Sequence, residues 1–114
     1  MRTLCAAALL LAVQAAPLAA QAPYETQRYT CDNRGATLVV TYVNSGDPAL
    51  AVLDVEGQRI VLEAEVAASG ARYGYPSDGS HYVWWTKGAE GMLLWHDGTD
   101  DSDRPIYEAC QAAQ

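Results

Sequence analysis

The chain has 114 residues, with 7 basic and 14 acidic side chains and a formal net charge of −7, which is enough length for one domain with a modest core. The acidity disfavours nucleic-acid binding, because phosphates attract the opposite charge, and it favours encounter with a basic protein partner. Charge alone also fits a small exported domain that only needs to stay soluble, so both interpretations remain open.

Residues 1–20 have the three-part pattern of a secretory signal peptide. The basic Arg2 precedes an apolar run, Leu4–Val13, and small residues follow it. The run is too short to span a membrane. We therefore predict cleavage after Ala20, which leaves residues 21–114 as a single exported domain.

The mature chain has two cysteines, because Cys5 leaves with the signal peptide. Cys31 and Cys110 lie near the two ends of the domain. In an oxidising compartment, an isolated pair of this kind predicts one disulfide. A metal pair or a reactive thiol is the rival interpretation, and no third ligand with metal-like spacing accompanies either cysteine.

Short apolar segments with period-two alternation follow one another along the mature chain and predict β-strands. The predicted strands, in chain order, are Gln27–Asp32, Ala36–Val43, Ala49–Val55, Gln58–Glu65, Ala71–Tyr75, His81–Thr86, Gly91–His96 and Ile106–Cys110. The predicted turns are Asn33–Gly35, Asn44–Pro48, Glu56–Gly57, Ser69–Gly70, Asp78–Gly79, Lys87–Gly88 and Asp97–Arg104.

About eight short strands with regular turns predict an all-β fold, a small antiparallel barrel or sandwich. We prefer the eight-stranded barrel, because a short chain gains most by closing its sheet edges. One segment has a helical alternative: Ile60, Val61, Ala64, Ala67 and Ala68 also share helical spacing. It is the weaker interpretation, because two of these residues are β-branched and the stripe stops at Gly70.

Two hairpin tips carry a polar donor directly before a glycine, Ser69 before Gly70 and Lys87 before Gly88. Two predicted strands separate them, and the turns of an antiparallel meander alternate between the ends of the sheet. The hydroxyl of Ser69 and the ammonium of Lys87 should therefore lie side by side at one end. Such a pair suits carboxylates on a partner.

The segments Ala68–Tyr73 and Tyr82–Glu90, with the C-terminal cysteine, resemble the MliC/PliC family of bacterial inhibitors of C-type lysozyme. The similarity extends from Cys31 to Cys110. It implies an eight-stranded antiparallel barrel, periplasmic or lipid-anchored, whose two motif loops enter the lysozyme cleft. The lipid-anchor cysteine of the membrane-bound branch is missing, which favours the soluble, periplasmic branch.

The resemblance also implies roles for individual residues. The motif serine and lysine, which reach the catalytic carboxylates of lysozyme, correspond to Ser69 and Lys87. The other matching motif positions, taken as lysozyme-binding, are Gly70, Tyr73, Trp85, Thr86 and Gly88. One position departs from the family: Gly91 stands where alanine is common, which should loosen a strand slightly.

The resemblance implies that the protein blocks the active site of lysozyme and catalyses no reaction itself. C-type lysozyme works with two carboxyl groups on either side of the scissile bond. An ammonium and a hydroxyl placed between them would occupy the substrate position and pair with both. The implied partner is a basic protein, so the acidic surface of this chain would speed their encounter.

Enzymatic and metal-dependent functions find little support. A triad of Ser69, His81 and Asp78 would need all three at one end of the sheet, and the turns put Asp78 opposite Ser69. The acidic stretch Asp97–Asp103 resembles a calcium loop only faintly, because Ser102 stands where glycine is needed, and a solvated turn is the preferred interpretation. We predict no enzyme activity, cofactor or metal.

Two other function classes stay open beside the inhibitor. One is a binding module for a small ligand or glycan, which needs a hollow barrel. The other is a structural protein of the cell envelope, which needs no exposed motif loops. The sequence also leaves open whether the protein forms a homodimer, and whether Trp84 or Trp85 is the exposed indole.

Overall fold

The computed structural model describes residues 23–32, 35–77 and 79–113. The predicted signal peptide, Cys5 and three turn positions (Asn33, Arg34 and Asp78) lie outside these residues. The strands are β1 Tyr24–Thr30, β2 Thr37–Val43, β3 Leu50–Val55, β4 Gln58–Glu65, β5 Ala71–Gly74, β6 His81–Lys87, β7 Glu90–Asp97 and β8 Ser102–Ala112. They pair in chain order, each antiparallel to the next, and β8 returns to β1 to close a barrel. The prediction of an eight-stranded antiparallel barrel is confirmed.

Every second side chain along the strands points into the barrel and fills its interior. In β2 and β3, the buried residues Leu38, Val40, Ala51 and Leu53 alternate with partly exposed neighbours. Trp84 of β6 has no solvent-exposed surface and is the largest fully buried side chain among the described residues. The interior is therefore a packed core, because the branched and aromatic side chains of facing strands fill it.

The helical alternative near Ile60 is wrong. Ile60 pairs with Leu53 across the β3–β4 hairpin, and Ala64 pairs with Tyr73 across β4 and β5. β3 pairs with Gln58–Glu63 and β5 pairs with Glu63–Glu65, so the extended conformation gives this segment backbone partners on neighbouring strands.

The two terminal strands begin earlier than predicted. β1 starts at Tyr24 rather than Gln27, and β8 starts at Ser102 rather than Ile106. The acidic turn is correspondingly shorter, because the side chains of Asp97 and Asp100 accept hydrogen bonds from the backbone N–H groups two residues ahead, at 2.9 and 3.1 Å. Such Asx turns reverse the chain within a few residues, so the polar residues that follow already belong to β8.

Cys31 and Cys110 form the predicted disulfide, with an S–S distance of 2.03 Å. Both cysteines are buried. The bond lies beside the seam between β1 and β8, where only Tyr29 and Thr30 of β1 pair with β8. The disulfide therefore reinforces the shortest strand pairing of the described barrel.

Because consecutive strands run antiparallel, the connections between them alternate between the two ends of the barrel. The segments after β2, β4 and β6 lie at one end, and those after β1, β3, β5 and β7 lie at the other. Ser69 and Lys87 therefore share an end, which we call the motif end. Within the described residues no helix has the length and apolar character needed to cross a membrane.

Candidate functional site

The two motif loops are in direct contact at the motif end. Ala71 at the start of β5 pairs with Thr86 near the end of β6. Gly70 has a positive φ of 69°, and a β-carbon added to it would lie 2.2 Å from the carbonyl oxygen of Thr86 and 2.8 Å from Cγ of Lys87. Only glycine fits here without strain, because the backbone conformation is left-handed and the second loop occupies the side-chain position.

The indole of Trp85 connects the two loops. Its Nε1–H donates a hydrogen bond of 2.9 Å to the backbone carbonyl oxygen of Ser69. The ammonium of Lys87 lies 4.8 Å from the centroid of the same ring, within the range of a cation–π contact. One side chain thus fixes the backbone beside the serine and supports the charge of the lysine.

Both predicted donors are exposed and available. Ser69 and Lys87 are exposed. Among residues 23–32, 35–77 and 79–113, Lys87 makes no ion pair and the Ser69 hydroxyl makes no hydrogen bond. The site therefore presents one free ammonium and one free hydroxyl on neighbouring, mutually supported loops.

The turn beside Lys87 lies one residue later than the predicted Lys87–Gly88. Lys87 is the last residue of β6 and pairs with Glu90, so only Gly88 and Ala89 form the tip. Gly88 has a positive φ of 58°. A two-residue tip holds Lys87 at the end of a paired strand, which leaves its backbone less freedom than a longer loop would.

The remaining site residues lie on the inner side of the barrel. Tyr73 is buried, 8% exposed, and its ring lies 5.7 Å from that of Tyr42. Thr86 is partly buried, with its hydroxyl 3.5 Å from the carbonyl oxygen of Ala71. Both line a hollow at the motif end of the barrel. Their roles as lysozyme-binding residues stay predictions.

The structure also decides between the two adjacent tryptophans. Trp84 points inward, has no exposed surface, and donates a 2.9 Å hydrogen bond from Nε1 to the hydroxyl of Tyr42. Trp85 points outward beside Lys87. Trp84 also occupies the space next to Gly91, since a β-carbon there would lie 2.5 Å from its ring. Gly91 of β7 therefore leaves room for the buried indole.

Arg72, between Ala71 and Tyr73 of the first motif, links three strands of the barrel. On the outer wall, its guanidinium donates to Glu65 at 2.6 Å and to Asp103 at 3.0 Å, so it joins β5 to β4 and to β8. Burial raises the pKa of Asp103, but hydrogen bonds from His96 and Arg72 outweigh burial and hold that pKa below its usual value. Period-two alternation in the sequence places the Arg72 side chain on the outer face of β5, because the next residue, Tyr73, points inward.

The histidines and the acidic turn lie at the end opposite the motif loops. The rings of His81 and His96 are 4.9 Å apart, and His96 contacts Asp103 at 2.7 Å. In the described ranges, no group of three or more His, Cys, Asp or Glu side chains is arranged to hold a metal ion. The pKa of Asp97 is lowered by hydrogen bonds from Thr99, so this carboxylate serves the turn.

We expect Gly70→Ala to destabilise the fold more than the matched control Gly57→Ala. Both glycines have positive φ, 69° and 74°, but nothing lies within 4 Å of a β-carbon at Gly57. The control should cost about 1 kcal/mol from backbone strain alone, and Gly70→Ala at least 1 kcal/mol more, because the loops must separate. Urea unfolding of both variants measures the difference. Equal losses would contradict close contact between the loops.

Comparison with known proteins gives one matching family profile. The profile described as "MliC: Membrane-bound lysozyme-inhibitor of c-type lysozyme" matches residues 29–102. This range contains both motif loops and covers more than half of the chain.

Two curated relatives carry the same description. A membrane-bound lysozyme inhibitor of C-type lysozyme from Cupriavidus necator is 48% identical over 66 residues, which are 58% of this chain and 49% of the relative. A protein of the same description from Pseudomonas aeruginosa is 40% identical over 73 residues, 61% of this chain and 54% of the relative. The chain spans about half the length of the curated relatives that it matches.

A solved structure shares the barrel. The crystal structure of PliC-St, the periplasmic lysozyme inhibitor of C-type lysozyme from Salmonella typhimurium, superposes with a TM-score of 0.64 at 27% sequence identity. The alignment covers 80% of this chain and 99% of that chain. The fold of the whole solved inhibitor is therefore present in this barrel.

Proposed function

The chain belongs to the MliC family of lysozyme inhibitors, and on that premise we propose that it inhibits C-type lysozyme by inserting its two motif loops into the active-site cleft. The observation that carries the proposal is the presence of two donors on loops joined by Trp85: the Lys87 ammonium, which has no ion pair within the described residues, and the Ser69 hydroxyl, which has no hydrogen bond there. Two donors on loops that share one supporting side chain, at the end of a barrel, are suited to enter a groove.

The chemistry of the target supports this arrangement. A glycosidase of this type holds two carboxyl groups on either side of the bond that it cleaves. Lys87 would form a charge-assisted hydrogen bond with one carboxylate, and Ser69 would donate to the other. Because Trp85 already restrains both loops, little conformational entropy remains to be lost on binding.

The loop that carries Ser69 also has an apolar tip. Val66, three positions before Ser69, is 99% exposed, and Ala67 and Ala68 follow it. An exposed apolar side chain at the motif end offers area that a bound partner would remove from water. We assign this tip to the rim of the same contact.

Charge supports an inhibitor of a basic enzyme. The chain has a net charge of −7, and Lys87 is its only lysine. The acidic surface would steer a basic protein towards the barrel, where the single ammonium would meet the carboxylates of the cleft. The solved relative is described as periplasmic, and we propose the same location for this chain.

A lytic assay with the purified domain tests the proposal. Residues 21–114 are mixed with hen-type, goose-type and invertebrate-type lysozymes, and the clearing of a bacterial cell suspension is followed. We expect inhibition of the hen-type enzyme, which is the C-type. Full lytic activity of that enzyme at a molar excess of the domain would refute the proposal and favour the ligand-binding alternative.

Ser69→Ala should weaken inhibition without abolishing it. The variant removes one hydrogen bond from a neutral donor, which costs about 1–2 kcal/mol of binding, or roughly five- to thirtyfold in Kd. Ser45→Ala, in the exposed segment after β2 at the same end, is the matched control and should bind like the wild type. Isothermal titration calorimetry measures both. Unchanged affinity of Ser69→Ala would remove Ser69 from the contact.

A further inference from the structure

A hollow opens into the barrel at the motif end, between the start of β1 and the turn after β6. We call it the mouth hollow. Its lining includes Glu25, Tyr29, Tyr42, Tyr73, Thr86 and Gly88. Glu25 and Tyr29 are four positions apart on β1, so both belong to the inward face of the strand. An acidic side chain therefore stands on the inner wall of the barrel, above its aromatic core.

Tyrosines fix the floor of the mouth hollow. The hydroxyls of Tyr29 and Tyr42 are 2.6 Å apart, and Trp84 donates to Tyr42 from below at 2.9 Å. Tyr29 is 4% exposed and Tyr73 is 8% exposed. The hydroxyls of Tyr29 and Tyr42 are thus held by hydrogen bonds at the floor of the opening.

The carboxylate of Glu25 is exposed and has no ion pair within the described ranges. None of the described residues that line the mouth hollow is basic. Burial raises the pKa of the Tyr29 hydroxyl, its hydrogen bond with Tyr42 lowers it, and the negative charge of Glu25 raises it further. The opening thus combines a free negative charge with aromatic rings and hydroxyl acceptors, a set that suits a cation.

We propose that the mouth hollow binds a lysine or arginine side chain of the inhibited lysozyme, with Glu25 as its counter-ion. The inference rests on the proposed function and adds a second anchoring point to it. Thr86 and Gly88 belong both to the lining of the hollow and to the second motif loop. A partner seated on Lys87 would therefore cover the opening and place its own cationic surface beside Glu25.

Binding kinetics on immobilised hen-type lysozyme test the inference. The variants are Glu25→Gln and Asp32→Asn, which each remove one negative charge. Asp32 is exposed at the opposite end of the barrel, after β1, and serves as the matched control. We expect Glu25→Gln to weaken binding about tenfold, mainly through faster dissociation, because a pair covered by the partner is lost. The control should stay within about twofold of wild type, since a remote charge changes only steering.

Lys87→Glu and the wild type are measured in the same series, so that the two proposals can be told apart. If Glu25→Gln behaves like Asp32→Asn while wild type binds and Lys87→Glu does not, the mouth hollow is not a contact and the proposed function stands. If wild type fails to bind, both proposals are overturned. Thermal unfolding of Glu25→Gln should match wild type, because Glu25 supports no other described side chain.

Discussion

Lys87→Glu is expected to abolish inhibition of C-type lysozyme. The variant would place a carboxylate against the catalytic carboxylates inside a cleft with little water, so repulsion replaces attraction. We expect a loss of about 4 kcal/mol of binding, roughly a thousandfold in Kd. The half-maximal inhibitory concentration in the lytic assay and the Kd from calorimetry should both change in this way.

Folding of this variant should change little. Lys87 is exposed at the end of β6, and its cross-strand partner is Glu90. Two glutamates facing each other across an exposed pair cost only a few tenths of a kcal/mol. The melting temperature should therefore stay within a few degrees of wild type.

Arg59→Glu is the matched control for the change in charge. Arg59 lies on β4 near the opposite end, its side chain is 71% exposed, and its ion pair with Asp54 is a surface pair of small energy. It undergoes the same reversal of sign without touching the motif end. If Lys87→Glu inhibits lysozyme at the wild-type dose, Lys87 does not enter the cleft. If both variants lose inhibition equally, the loss comes from the change in net charge and not from a contact of Lys87.

Removal of the disulfide should cause the largest loss of stability. The double variant Cys31→Ala/Cys110→Ala frees two residues that are 79 positions apart. On the chain-entropy model this costs roughly 4 kcal/mol of unfolding free energy, which is a large share for a domain of this size. The melting temperature should fall by on the order of 20 °C, measured by circular dichroism.

The location of the bond sharpens this expectation. β1 and β8 pair through only two residue pairs, Tyr29 with Ala112 and Thr30 with Gln111. We expect the β1–β8 seam to open first in the double variant, with faster amide exchange there than across β2 and β3. Treatment of wild type with a reductant should reproduce the loss, and the same treatment should leave the double variant unchanged. A double variant within 1 kcal/mol of wild type would show that the strand ladder alone holds the seam.

The sequence by itself determined the central strands and the placement of the two donors. Period-two alternation predicted β4 over Gln58–Glu65 and came within one residue of both ends of β2 and β3. These strands can be recognised from the sequence, because one face of each is apolar and is buried in the core, which gives an alternating pattern. The shared end of Ser69 and Lys87 also followed from the sequence, since antiparallel turns alternate whatever the details of packing.

Only the tertiary structure decided where the terminal strands begin and which way several side chains point. The first residues of β1 and β8 are largely polar and become strand through pairing with β2 and β7. Alternation placed Trp84 and Trp85 on opposite faces, but only closure of the barrel defined which face is inside. It buried Trp84 against Gly91 and left Trp85 to support Lys87. Glu25 faces the tyrosines for the same reason, because the inner face of β1 is defined only when β8 pairs with β1 and closes the barrel.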